Sequence, residues 1–278
     1  METSLIITTI AIIAGIFGAL MGLGGGMIVT PALTMLFGID IKYAIGASII
    51  SVIATSSGAA AAYTRDKITN IRAGMFLEIA TTTGALAGAV TAGMVSPKIL
   101  YVAFGILILY SAILMLKKRN IELTKGVVIS ETGKKFNLGG RYYDKVLKKE
   151  IEYGVDNVYG SLGVMFGAGI LSGMLGIGSG IFKVMAMDLF MKLPMKVSSA
   201  TSNFMMGATA AASAGIYFFR GDINPKIAGP VAVGVLIGST IGARIMQKMR
   251  SATIRKLFIP VLIYAAVTMI LKGLEIKI

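Results

Sequence analysis

Lys183 lies three residues beyond Gly180, inside an apolar run that extends from about 158 to 191. A lysine inside a membrane-length run faces the protein interior or a water-filled cavity and marks function more often than packing. It suits either of two purposes: a point charge for an anion, or one half of an ion pair with Glu78 or Asp188, the acidic residues inside the apolar runs. The run Ala200-Thr201-Ser202-Asn203-Phe204 adds donors close by, and Ser48, Ser51 and Thr55 do the same in the first half. Hydroxyls and amides can replace the water around an oxyanion without fixing a charge there. The glycine clusters Gly24, Gly25, Gly26 and Gly178, Ser179, Gly180 complete the set of candidate binding residues. A helix broken in mid-membrane bares backbone N–H and C=O groups, which lipid does not tolerate unless they line a cavity or are buried in protein. A return helix starting at the break also aims its positive dipole end at the centre of the fold. Glu78 reads either as a proton carrier or as the partner of Lys183.

Composition narrows the chemistry. The chain is 55% hydrophobic and only 14% charged, with a mean hydropathy of +0.81, the balance of a polytopic membrane protein. It has no cysteine and no histidine, hence no disulfide, no thiolate nucleophile and no imidazole base or metal ligand. No metal site, cofactor or catalytic residue is expected. An enzyme reading would have to pair Ser179 as nucleophile with Lys183 as base. The net charge of +14 falls largely in short loops between apolar runs, where basic residues record topology rather than a nucleic-acid partner. The expected partners are therefore a small anion and the lipid bilayer.

Those groups must be positioned by elements that recur. Sliding the sequence against itself by about 154 residues sets Gly22, Gly24 and Gly26 on Gly176, Gly178 and Gly180, Ala47-Ser48 on Thr201-Ser202, and Tyr63 on Tyr217. Gly84 and Gly88 then meet Gly238 and Gly242, at a spacing that lets helices approach closely in lipid. Lys183 falls on Val29, so the lysine breaks the symmetry. The first segment of each copy is about 34 residues long, about 50 Å as a helix against a core of about 30 Å. Either it tilts and overhangs, or it turns back at the glycines.

Basic residues help to decide, since cytoplasmic loops are enriched in them. With hairpins, Arg65, Lys67, Arg72, Lys192, Lys196 and the basic residues around 244–256 join the polar stretch on one side. Lys42, Lys98, Arg220, Lys226, Lys272 and Lys277 are left on the other. Corresponding loops of the two copies carry opposite bias, as they would if one copy were upside down. The expected fold is an all-α polytopic membrane protein of two inverted repeats, each a glycine-broken helical hairpin plus three transmembrane helices. Residues 1–116 form the first repeat, 117–156 a cytoplasmic connector and 157–278 the second repeat, in the cell membrane with both termini outside. The connector reads as a short hairpin around 127–138 followed by a charged helix from Arg141 to about Tyr153. Met1 to Ser4 lack the basic start of a secretory signal, so the first apolar segment is read as part of the mature fold.

The stretch from Gly15 to Pro31, the run Gly173 to Val184 with its lysine, and Ala200-Thr201-Ser202-Asn203-Phe204 together resemble the sulfite exporter TauE/SafE family of membrane permeases. The resemblance covers both halves but not the connector. It implies transport of small sulfur-containing anions such as sulfite, thiosulfate or sulfoacetate, or of related organic acids. Two positions depart from the family pattern: Ser179 stands where glycine is usual, and Met185 where a proline often follows. The function expected is export of such an anion by alternating access around a midplane site. An anion channel and an importer of organosulfur or carboxylate anions are the alternatives. An inside-negative potential by itself drives an anion outward, so export requires no coupling ion.

Overall fold

A computed structural model describes residues 2–117, 130–246, 248 and 251–275. The first half contains α1 (Glu2–Met21), α2 (Gly26–Leu36), α3 (Ile41–Arg65), α4 (Ile71–Ala92) and α5 (Pro97–Lys117). Between the halves lie a short helix, α6 (Glu131–Lys135), and two strands, β1 (Gly140–Asp144) and β2 (Lys149–Tyr153). The second half contains α7 (Val158–Leu175), α8 (Gly180–Met185) running into a π-helical turn (Ala186–Phe190), then α9 (Met195–Phe219), α10 (Pro225–Met246) and α11 (Ser251–Gly273).

The long first segments are broken at the glycines and fold back there. Gly22 (φ 69°) and Gly176 (φ 66°) follow α1 and α7 in the left-handed region, which glycine enters without a Cβ penalty and which ends a helix. On the return, Val29 and Leu33 pack with Ile7 and Ala11 of α1. In the second copy the Met191 carbonyl accepts the Asp156 N–H at 3.2 Å, and Lys192 pairs with Asp156 at 2.7 Å, so the return arm ends beside the start of α7.

Each half completes its packing with the other. Helix α1 runs along α10 and α7 along α4, while α3 meets α9 and α5 meets α11. Glycines make the two long contacts possible. A Cβ on Gly88 would lie 2.0 Å from the Ile170 carbonyl oxygen, and one on Gly238 2.0 Å from that of Ile12, so only hydrogen fits at these crossings. Equivalent positions make equivalent contacts: Gly84 meets Phe166 as Gly238 meets Ile12, and Gly88 meets Ile170 as Gly242 meets Ile16.

Among the described residues, five helices (α1, α3, α4, α7 and α10) are long and apolar enough to cross a membrane. Helix α9 is as long as α3 but is not among them. Its inner face carries Ser198, Ser199, Thr201, Ser202, Asn203, Thr209 and Ser213, all buried, which lowers its hydropathy while leaving it in the core.

The expected connector needs correcting. Residues 118–129, with the start of the expected hairpin, lie outside the described residues, and Glu131–Lys135 is helical rather than extended. Arg141 to Tyr153 is an antiparallel β-hairpin, with Tyr142 opposite Ile151, instead of a charged helix. The period is two: Tyr142 and Asp144 are buried while Arg141 and Tyr143 are exposed. Lys148 takes the positive φ (52°) that the turn requires. The hairpin packs down through Lys196, which holds Asp144 at 3.0 Å with both side chains nearly buried. Asn70, ahead of α4, donates to the Leu138 carbonyl (2.7 Å) and to the Tyr153 hydroxyl (3.3 Å).

Candidate functional site

The two breaks meet at the centre of the molecule. A Cβ on Gly180 would lie 2.2 Å from the Gly22 carbonyl oxygen, and one on Gly26 3.0 Å from that of Gly176, so the tips touch backbone to backbone. Leu23, Ile177, Ser179 and the surrounding glycines are fully buried. Val52 of α3 and its repeat counterpart Met206 of α9 fill the space beside them. Both approach Gly24 and Gly178, within 3.3 Å of where a Cβ would stand.

The expected donors surround the tips, but in this state they hold the tips themselves. Ser48 Oγ donates to the Gly176 carbonyl at 2.6 Å, and Ser202 Oγ to the Gly22 carbonyl at 2.7 Å. Each serine thus bonds the tip of the opposite half, at equivalent positions. The tyrosines sit at equivalent positions too, Tyr63 donating to the Ala19 carbonyl (3.0 Å) and Tyr217 to that of Gly173 (2.8 Å). Ser202 lies also 3.3 Å from the Gly180 carbonyl. Asn203 Nδ2 donates to the carbonyls of Ala19 (3.1 Å) and Ser199 (3.0 Å), which leaves its Oδ1 buried without a partner. Thr55 accepts from the Gly25 N–H at 3.1 Å, and Thr201 from the Asn70 N–H at 3.0 Å. Ser179 sits in the left-handed region (φ 52°), its Oγ turned to the Gly178 carbonyl at 2.8 Å.

Lys183 is fully buried and meets Glu78 of α4, with Nζ 3.2 Å from Oε2. Thr209 of α9 bridges the pair: it accepts from Lys183 Nζ and donates to Glu78 Oε1. Thr81 and Thr82 donate to the two carboxylate oxygens, each at 2.9 Å. Of the two uses open to Lys183, pairing with Glu78 is the one made in this state. Sequence reasoning misses the three threonines although signals for them are present. Thr209 falls on Thr55 in the repeat, and Thr81 and Thr82 stand at i+3 and i+4 from Glu78, on the same helix face.

Further contacts flank the tips on two sides. On the connector side, Asn70 joins Thr201 to Leu138 and Tyr153. On the far side the Asp222 carbonyl presses on Gly46, where a Cβ would lie 2.2 Å away. Arg220 pairs with Asp222, donates to the Ala89 carbonyl and lies 4.3 Å over the Tyr217 ring.

The family model described as sulfite exporter TauE/SafE matches residues 7–269, both halves and the connector included. The chain belongs to this family. Its similarity to a probable membrane transporter protein of Bacillus subtilis, YunE, is 29% identity over 97% of this chain and 98% of that one. A probable membrane transporter protein of Methanocaldococcus jannaschii, MJ0441, is 26% identical over 88% of this chain and 87% of its own. YdhB of B. subtilis, likewise a probable membrane transporter protein, is 26% identical over 90% and 94% of the two chains. No solved structure matches. A TauE/SafE protein with these apolar helices is a multi-pass membrane transporter. The family match thus extends across the connector, which carried no part of the resemblance seen in sequence.

Proposed function

We propose that the protein carries a small oxyanion across the cell membrane by alternating access, sulfite and its organosulfur relatives being the first candidates and export the direction. The observation that carries this reading is Lys183: a fully buried cation three residues past one of two abutting helix breaks, where its repeat counterpart is Val29. The proposed substrate surface comprises Gly24, Gly25, Gly26, Ser48, Gly178, Ser179, Gly180, Lys183, Thr201, Ser202 and Asn203. In the closed state Ser48 and Ser202 donate to tip carbonyls. Separation of the tips frees those hydroxyls to donate to an oxyanion, and withdraws Val52 and Met206 from between them. Inverted repeats are supported by two features. Contacts exchange pairwise between the halves, and corresponding loops carry opposite basic bias. In this reading residues 1–116 and 157–278 are the two repeats, and the connector, 117–156, is cytoplasmic. Import of an organosulfur or carboxylate anion is the second reading, favoured by Glu78 beside Lys183, because a proton taken with the anion can drive accumulation.

The test is uptake by purified protein in liposomes of a panel of sulfite, sulfate, thiosulfate, sulfoacetate and small carboxylates. Saturable uptake with counterflow of one member, lost in Lys183→Ala at an unchanged melting profile, is expected. Unsaturated ohmic current would mark a channel, and normal uptake by Lys183→Ala would remove the lysine from the site.

A further inference from the structure

The Lys183 cluster is built around a carboxylate already in contact with the cation proposed to receive the substrate. We infer that Glu78 is a tethered stand-in for the transported anion, and that it takes up one proton each time the anion displaces it from Lys183, making the carrier a proton–anion symporter. The inference rests on the proposed role of Lys183.

With the site empty, the Lys183 ammonium and the Glu78 carboxylate neutralise each other at 3.2 Å inside the fold. Among the described residues of α4 and the helices packed on it, no other group is placed to do so. Helix α4 itself adds only Arg72, exposed at its start. Among the helices packed on α4, α7 carries only Tyr159, exposed at its start, and α9 only Lys196 and Tyr217 near its ends. Lys196 is engaged with Asp144, and Tyr217 donates to backbone carbonyls. Asp188 of the π-helical turn is the remaining ionisable group of the return arm, and it is an acid. An oxyanion that enters beside Lys183 breaks the Nζ to Oε2 bond and makes its own. The carboxylate left behind has lost its counter-ion in a medium that does not tolerate an isolated charge, so it accepts a proton from water. The proton resides on a carboxyl oxygen of Glu78, and no other bond changes.

The threonines fit both states. Thr209 now donates to Glu78 and accepts from Lys183. A hydroxyl can reverse, accepting from the protonated carboxyl and donating to the anion, so the same three groups are satisfied in either arrangement. Thr81 and Thr82 hold the carboxyl group in place from its own helix while its partner changes. The Glu78 side chain keeps 15% of its surface exposed and Lys183 none. For a monovalent anion the empty and loaded sites bear equal charge. For such an anion the membrane potential ceases to drive transport, whereas a dianion such as thiosulfate or sulfoacetate still moves one net negative charge with its proton, and direction follows the combined anion, proton and electrical gradients. The pair joins the halves, Glu78 from the first and Lys183 from the second, and it is not duplicated, since the repeat counterpart of Lys183 is Val29; one anion and one proton move per cycle.

The experiment uses the full chain in liposomes with a trapped pH dye and labelled thiosulfate or sulfoacetate, whose charges are fixed near neutral pH, or sulfite at alkaline pH. Wild type should admit one proton per anion. Glu78→Gln should still exchange labelled anion while the proton count falls from one to zero, and Glu78→Asp should restore the count. Saturable uptake with no proton in the wild type overturns the inference and leaves the transport reading standing, as does a full proton count in Glu78→Gln. Absence of saturable uptake of every anion overturns both. The wild-type count decides the matter even if the glutamine variant does not fold.

Discussion

Ser179 stands in the second break where its repeat counterpart is Gly25, and its backbone shows what a side chain there costs. It holds a left-handed conformation (φ 52°) that a Cβ disfavours by about 1–2 kcal/mol, with Oγ turned back to its neighbouring carbonyl. Ser179→Gly removes that strain while adding about 0.5–1 kcal/mol of unfolded-chain entropy. The expected result is a net gain of up to about 1 kcal/mol, read as a higher melting temperature in detergent. Gly180→Ala goes the other way. Its Cβ would stand 2.2 Å from the Gly22 carbonyl oxygen, a backbone atom that cannot step aside without opening the tip contact. Overpacking of this kind costs about 1–3 kcal/mol, so a lower melting temperature is expected. The tips themselves are legible in the sequence, because the glycines from Gly22 to Gly26 and their copy from Gly176 to Gly180 each interrupt a run too long for one ordinary span. The occupants of the space between the tips are not. Val52 and Met206 are ordinary apolar residues on apolar helices, and only their position in space makes them the filling of the site.

At the scale of elements, the connector hairpin is held to the helices by charge as well as by packing. Burial pushes the Asp144 carboxyl up, but hydrogen bonds from Leu147 N–H, Lys196 Nζ and Val146 N–H outweigh it and hold it below the ordinary value of 3.8. A carboxyl group depressed in the folded state contributes stability that is present above its unfolded value and is lost as pH falls through the folded one. Docking of the hairpin should therefore be insensitive to pH near neutrality and weaken below about 3.8. Asp144→Asn should imitate the acid state at neutral pH and loosen the hairpin by about 2 kcal/mol, measured as faster amide exchange at Tyr142 and Ile151. The stretch from Arg141 to Tyr153 reads as a helix because it is rich in lysine and glutamate, good helix formers on a surface. The alternation of the true hairpin is carried by only two buried positions on the first strand, Tyr142 and Asp144, and the second of those is polar. A buried aspartate reads as solvent-facing until the lysine that neutralises it, 52 residues away, is brought beside it by the fold.

At the scale of the whole molecule, each half of the chain leaves its first helix to be covered by the fourth helix of the other half. Helix α1 lies on α10 and α7 on α4, through glycines at equivalent positions. Two units that exchange equivalent contacts are related by a rotation of about a half-turn. Such an axis lies in the membrane plane if each unit makes an odd number of net crossings, and along the normal if the number is even. If the hairpins that turn back at Gly22 and Gly176 make no net crossing, as proposed, three helices remain in each half and the axis lies in the membrane plane. This arrangement predicts sidedness. Lys42, at the start of α3, should be outside, together with Arg220 and Lys226, whereas Lys67, Lys192 and the connector should be cytoplasmic. The chain contains no cysteine, so single cysteines at 42, 67, 192 and 226 can be introduced without removing any native thiol. A membrane-impermeant maleimide added to intact cells should label 42 and 226 and spare 67 and 192 until the cells are opened. Labelling of 42 and 67 together from outside would mean that α3 does not cross, and labelling of 67 but not 42 would invert the assignment. Labelling of 42 and 192 but not 226 would put the starts of α3 and α9 on the same face of the membrane, and would remove the in-plane axis on which alternating access between two equivalent faces depends.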